Sequence, residues 1–482
     1  METYLEDPKR QRWLIASVAF AAFVSSLDGS IVSIALPDLA RDLQVPITTT
    51  SQVMVSYILF MSASLPLVGK LGSMFGAKRL FLSGFLLFGI GSLICGLSRT
   101  LDVLVAARIL QSVGAAALLA TGYVLVAEHL PPDRRGMAMG LLGASASVAS
   151  IVGPPVGGFM TQAWGWSSIF LINVPLCVIA LFFGWHYLPH DPPINEAEKS
   201  APFDWFGLLF ITLALVGINH GLNRIDLEGW SSEEGLLYLS GGVLFTWLFI
   251  RQEKRARAPI IPGAVFGDFH VILAMISVIA VMMILGCLTI LGPFFLQRVH
   301  DLPPGKVGLV MTVPGLIMLL AAPISGLIAD RMGPERLSAL AAGLLSGSCL
   351  LMAMLNATSS VLHITVVFSL LGLSIGLFFP PNSSYVMGLA TRELRSVTAS
   401  TYNVFKNIGM LLGISVLGSL AYTVARSHFK GLPETPEENR LAMAIGFSAA
   451  MSGAVVLALI AAIASAFTCL RPAKSNTTTP AP

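Results

Sequence analysis

Leu27-Asp28-Gly29-Ser30-Ile31-Val32-Ser33-Ile34-Ala35-Leu36-Pro37 closes an apolar run that opens at Trp13. Wound as a helix at about 1.5 Å per residue, that run reaches about 36 Å, more than the ~30 Å hydrocarbon core of a bilayer. Asp28 therefore falls inside the core rather than at its edge. A carboxylate near the middle of a spanning helix costs on the order of 2.5–3.5 kcal/mol on insertion scales, so it is a candidate carrier of a proton, an ion or a ligand. The competing explanation is structural, an acid that only caps or bonds a neighbouring helix.

Composition agrees with the run. Of 482 residues, 55% are hydrophobic and 11% charged, with a mean hydropathy of +0.79. Soluble domains carry about 25% charge, so the chain reads as an all-α, polytopic membrane protein with the lipid bilayer as its first partner. A net charge of +3, scattered in short clusters, implies no nucleic-acid partner. Cys95, Cys177, Cys287, Cys349 and Cys469 lie in apolar segments at no metal-ligand spacing, so neither a metal site nor a disulfide framework is expected, and no cofactor. The first run is too long for a cleavable signal and is expected to persist as a helix.

Runs long enough to span occur at about 13–36, 52–69, 80–98, 103–127, 137–162, 168–188, 204–222, 235–251, 269–296, 307–329, 337–355, 361–390, 397–424 and 441–470. With both termini cytoplasmic, 19 basic residues fall on inside segments and eight outside, which is the positive-inside bias. Arg108 and Lys406 are the two that remain, both within apolar runs. Pro66, Gly69, Gly76, Arg79 and Leu80 recur 257 residues later as Pro323, Gly326, Gly333, Arg336 and Leu337. The offset exceeds that of two six-helix halves placed end to end, so the runs at 204–222 and 235–251 are an insertion. The expected organisation is a first six-helix bundle at 1–200, an inserted two-helix linker at 201–262, a second bundle at 263–471 and a disordered tail at 472–482. Repeated halves with a site at their midplane interface are a common transporter design.

Four segments together resemble the major facilitator superfamily, specifically its fourteen-helix drug:proton antiporter branch of multidrug and quaternary-ammonium efflux pumps. Leu27-Asp28-x-x-Ile31-Val32-x-x-Ala35-Leu36-Pro37 is similar to the first-helix motif of that branch, and the resemblance implies that Asp28 takes up and releases a proton. Leu104-x-x-x-Arg108-x-x-Gln111-x-x-Gly114-Ala115-Ala116 resembles the fourth-helix motif, whose Arg is assigned to proton coupling. Arg108 and Gln111, three apart, share a helix face. Counted from the outer helix ends, Asp28 lies ~12 Å deep and Arg108 ~8–10 Å deep, near enough to meet. A permanent structural ion pair stays open beside the coupling role.

Gly143 through Gly153-Pro154-Pro155-Val156-Gly157-Gly158 resembles the fifth-helix motif that marks antiporters, where glycines let backbones approach and paired prolines bend the segment into a hinge or seal. Gly69 to Arg79, with Gly76 and Lys78, resembles the cytoplasmic loop motif that braces the outward-facing state. It departs from the family at Ser73 and Met74, where an acid and a basic residue are usual. The second copy keeps Asp330 and Arg331, so a weaker first-half brace is expected, and these basic residues also read as plain orientation anchors.

Lys406 sits about 15 Å from the cytoplasmic end of the thirteenth run. It has three open roles besides a purely structural one: binding an anionic group, pairing with another residue, or titrating when desolvated. Asn403 flanks it, Gly409-x-x-x-Gly413 follows as a packing face, and Phe378-Phe379-Pro380-Pro381-Asn382 interrupts the twelfth run as a candidate gate. Phe23, Tyr57, Gln111, Phe378, Phe379, Tyr402, Asn403, Phe405 and Lys406 are the candidate cavity residues, although aromatic side chains at helical spacing also serve as packing. His220, on the inserted pair, reads as a satisfied or interfacial histidine.

The expected function is a proton-coupled antiporter of the bacterial or archaeal plasma membrane, exporting small amphipathic cationic or neutral compounds in exchange for protons by alternating access. A lipid, siderophore or metabolite as the natural cargo is the alternative. A membrane-embedded lipid-modifying enzyme is remote, because paired carboxylates, a His-x-x-x-His set and an intramembrane Ser/His/Asp arrangement are all missing. Whether an accessory subunit is needed is not encoded.

Overall fold

The computed structural model describes residues 7–189, 191, 203–229, 231–391, 394–428 and 435–470. The tail at 472–482 and most of the polar linker at 189–203 lie outside the described residues.

The described chain is helical throughout its long segments: α1 (Pro8–Asp42), α2 (Gln52–Phe75), α3 (Ala77–Leu97), α4 (Leu101–His129), α5 (Pro132–Trp164), α6 (Asn173–Tyr187), α7 (Trp205–Glu228), α8 (Glu233–Glu253), α9 (Phe269–Phe294), α10 (Pro304–Met332), α11 (Pro334–Ala353), α12 (Val361–Leu389), α13 and α14 (Pro436–Thr468). α13 runs over Arg395–Leu412 and continues through a π turn at Gly413–Leu417 into Gly418–His428. Thirteen of these, α6 counted together with the helical turn Ser168–Leu171 before it, are long and apolar enough to cross a membrane. The fourteenth, α8, has Glu233, Glu234, Arg251 and Glu253 near its ends, and it packs along α7 through Gly217, Gly221, Gly235 and Gly242.

Local chemistry sets the helix ends. Asp7 accepts from the Lys9 N–H at 2.9 Å with Pro8 in the first turn, and Thr435 and Glu438 form a reciprocal capping box before α14. Gly76 and Gly333 end α2 and α10 with φ of 94° and 93°, and their N–H groups donate to Gly72 and Ala329 at 2.9 Å. The five-residue sequence repeat is thus the same backbone turn made twice, in a conformation that a side chain would strain.

Helix pairing repeats as well. In the first half α1 packs on α5 and α6, α4 on α2 and α3, and α3 on α6; in the second half α9 packs on α13 and α14, α12 on α10 and α11, and α11 on α14. Each half has its own apolar core, one centred on Phe81, Phe85, Phe88 and Phe170, the other on Phe295, Phe368, Phe378 and Phe447. Large apolar side chains such as Trp185, Leu237, Leu327 and Leu362 are exposed on the outside of the bundle, as lipid contact requires.

The halves meet through α1 with α9, α2 with α13, and α5 with α10. α12 stays helical through Pro380 and Pro381, so the expected interruption at Phe378–Asn382 is corrected to a continuous helix. Prolines are accommodated there because freed carbonyls in a bundle find other partners.

Candidate functional site

Two sites emerge, one inside the first half and one inside the second. In the first, α1, α4 and α6 bring Asp28, Arg108, Gln111 and Asn173 together. The Asp28 carboxylate accepts from Arg108 Nη1 at 2.5 Å, from Gln111 Nε2 at 2.9 Å and from Asn173 Nδ2 at 2.8 Å. Arg108 also donates to the Val53 carbonyl at 3.1 Å and to Gln111 Oε1 at 2.7 Å, and its guanidinium lies 4.0 Å over the Tyr57 ring. Ser92 accepts from Gln111 at 2.6 Å. Asp28 is 0% exposed and Arg108 1%. A buried charge pair is tolerable only with this density of donors and acceptors, since each ion has lost its water.

Asn173 and Ser92 escape a reading based on charge and motif, because a lone amide or hydroxyl inside an apolar run leaves no mark on hydropathy. The usable signal is Asn173 itself, an amide in Leu171-Ile172-Asn173-Val174 that would be orphaned without a partner.

The second site is a cavity of about 350 Å³ between α12 and α13, lined by Phe379, Pro380, Ser383, Met387, Ala399, Tyr402, Asn403 and Lys406. Of the candidate cavity residues, Phe379, Tyr402, Asn403 and Lys406 come together here. Phe405 stands beside Phe266 with centroids 5.7 Å apart, and Phe378 is buried in the second core. Tyr57 and Gln111 belong to the Asp28 cluster, and Phe23 is half-buried against the first core. The Tyr402 hydroxyl donates to Asn382 at 3.0 Å.

The interface between halves is asymmetric along its depth. At the end remote from Pro8 and Thr468, Gln297 donates to the Ile34 carbonyl at 2.9 Å and Arg298 to the Pro37 carbonyl at 3.0 Å. Gly158 faces the Pro304 backbone and Gly308 the Pro154 backbone, so closely that a Cβ at either place would collide. Gly153 and Gly157 seat α5 in the same manner against Ser30 and Ile31 of α1. At the end bearing Pro8 and Thr468, Gly136, Gly140 and Gly143 of α5 and Gly326 of α10 face open space. The bundle is shut at one end and open at the other, and the α12–α13 cavity lies toward the open end.

The loop-motif residues lie at that open end too. Gly69, Arg79, Asp330 and Arg331 are exposed, while the Lys78 ammonium donates to the carbonyls of Trp185 at 3.1 Å and Leu188 at 2.8 Å. Asp191 accepts from the backbone N–H groups of Lys78 at 2.6 Å and Arg79 at 3.1 Å, holding the start of α3 against the end of α6. His220 packs edge-on against Tyr238 within the α7–α8 hairpin. Among the described residues no cluster of His, Cys, Asp or Glu could hold a metal ion.

Comparison with known proteins follows the same lines. The family model described as Major Facilitator Superfamily matches residues 18–414. The chain is 33% identical over 416 residues to the riboflavin transporter RibZ of Clostridioides difficile, covering 85% of this chain and 88% of that one. It is 30% identical over 411 residues to the tetracenomycin C resistance and export protein of Streptomyces glaucescens, covering 84% and 75%. In fold it is similar to a bacterial homolog of the human lysosomal transporter Spinster, with a TM-score of 0.68 at 13% identity over 96% of this chain and 97% of that one.

Proposed function

This chain belongs to the Major Facilitator Superfamily, and we propose that within it the protein is a proton-coupled antiporter exporting amphipathic compounds by alternating access. The family makes it a multi-pass membrane transporter rather than an enzyme. In the proposal, residues 1–200 and 263–471 are the two rocking bundles, 201–262 is an inserted hairpin, and the ends bearing the termini face the cytoplasm of a bacterial or archaeal cell. The conformation described above is then inward-facing, with the cavity open to the cytoplasm.

The observation that carries the proposal is the Asp28 cluster. A carboxylate and a guanidinium are locked together with no exposure while the cargo cavity is open, so in this conformation Arg108 occupies the face of the carboxylate that a proton would take. Six residues above Asp28, the Ile34 carbonyl forms part of the outer closure with Gln297. Rocking the halves apart at that end breaks the bonds to Ile34 and Pro37 and brings water to the upper part of α1, from which a proton reaches Asp28. Protonation removes the charge that Arg108 pairs with, loosening α1 from α4. Return to the inward state re-forms the pair, as Arg108 displaces the proton from the carboxylate and the proton passes to water on the cytoplasmic side. A proton crossing at 100 mV contributes about 2.3 kcal/mol to each cycle, and a pH gradient adds to it. Asp28 and Arg108 are the coupling pair in this scheme, Gln111 and Asn173 position them, the close approaches of Gly158 to Pro304 and of Gly308 to Pro154 form the outer seal, and Gly153 and Gly157 seat α5 on α1 behind it.

Transport of one metabolite instead of many compounds is favoured by the similarity to a protein named as a riboflavin transporter. A growth-inhibition panel on overexpressing cells separates the two. Raised tolerance to several structurally unrelated amphipathic compounds, abolished by a protonophore, is the expected result. Riboflavin movement alone would favour the single metabolite, and protonophore-insensitive export would contradict proton coupling.

A further inference from the structure

Lys406 is a cation inside a membrane-spanning helix with no anion beside it. Its ammonium lies 5.3 Å from the centroid of the Phe379 ring, and no ion pair of the described chain includes it. None of the eight residues lining the α12–α13 cavity is an acid. Asp28, the deep acid of the first half, is already engaged by Arg108. An unpaired ammonium at such depth costs on the order of 2.5–3.5 kcal/mol on insertion scales, and such groups ordinarily face a cavity whose ligand completes them. The surroundings describe the rest of that ligand. Phe379 and Tyr402 offer ring surface, Pro380, Met387 and Ala399 offer apolar area, and Ser383 and Asn403 add polar points at the rim. Asn403 spends one amide hydrogen on the Ala399 carbonyl, leaving its oxygen to accept.

We propose that this cavity is an anion subsite for flat, amphipathic organic acids, with Lys406 pairing with a carboxylate, sulfonate or phenolate and Phe379 and Tyr402 flanking the apolar body. The volume of about 350 Å³ suits a tricyclic compound, within the ~300–1,000 Å³ usual for ligand pockets. The proposal deepens the export function and rests on taking this cavity as the cargo site. It reverses, for this subsite, the cationic cargo that the family resemblance implies. Cation–π contact with Phe379 keeps the ammonium oriented when the site is empty.

The test uses full-length protein in phosphatidylcholine nanodiscs and two dyes on one xanthene scaffold, anionic fluorescein and cationic rhodamine 123, with binding read by fluorescence anisotropy. Wild type is expected to bind fluorescein at least tenfold tighter. Lys406→Met is expected to bring the ratio within about threefold, Lys406→Glu to invert it, and Lys406→Arg to keep it. An equal or cation-favouring ratio in wild type overturns the anion subsite whatever the variants do, and so does an unchanged ratio in a monodisperse Lys406→Met protein. In either case binding of the dyes leaves the cavity as cargo site. Binding of neither dye, in a protein that still confers protonophore-sensitive tolerance in cells, overturns the subsite alone; without such tolerance it overturns the export function with it.

Discussion

Removing either partner of the Asp28–Arg108 pair strands a charge where no water reaches it. Breaking a buried pair this way costs about 3–5 kcal/mol, whereas replacing both members by neutral residues of similar shape is often near neutral. Arg108→Gln alone should therefore lower the melting temperature of the purified protein sharply, and Asp28→Asn combined with Arg108→Gln should recover most of the loss. A double variant no more stable than the single one would mean that the two charges are not coupled. Asn173→Leu removes one donor to the carboxylate and should cost about 1–3 kcal/mol, less than the loss of Arg108. At this scale the sequence located Asp28, Arg108 and Gln111 because charge in an apolar run is conspicuous and three-residue spacing places two of them on one face. Tyr57 read as a cavity residue but stacks under Arg108, a distinction that depends on which way α2 faces and that local pattern does not encode.

Among the helices, the contact of α5 with α10 decides which end of the bundle is shut. A Cβ on Gly158 would meet the Pro304 backbone, so Gly158→Val should disfavour closure at the end that the proposed orientation places outside. A cysteine replacing Ile34, which is 0% exposed, should then be labelled several times faster by an impermeant maleimide added outside. Gly140→Ala, in open space on the same helix, should leave the rate unchanged, and equal rates in both variants would contradict the seal. Asp191→Ala should cost about 0.5–2 kcal/mol, as loss of a helix cap does, because the carboxylate serves the backbone of Lys78 and Arg79. The sequence read this loop as weakened by Ser73, without seeing that a carboxylate more than 110 residues along the chain holds the start of α3. Helix existence and the glycine contacts were legible because apolar length and glycine spacing are local properties. The π turn at Gly413–Leu417 was not, since it arises where Gly413 is pressed against Met283 of α9.

For the whole molecule, the repeated turn at Gly76 and Gly333 and the matched helix pairings mean that one bundle plan is used twice, so a rigid rocking motion is compatible with both halves. The sequence offset of 257 residues already implied this. It did not place the inserted pair. α7 bridges both halves, Asn223 accepting from Gln52 of α2 at 2.9 Å and Asn219 bonding to Ser415 in the π turn of α13. Long-range seating of this kind depends on shape and not on periodicity. Whether the proposed transport is driven by protons is decided most directly in liposomes that hold purified protein and a pH-sensitive dye, with the compound ranked first in the growth panel added to start exchange. Coupling through Asp28 requires proton movement in wild type and none in an Asp28→Asn protein that stays folded and still binds the compound. Proton movement of wild-type size in Asp28→Asn would contradict it.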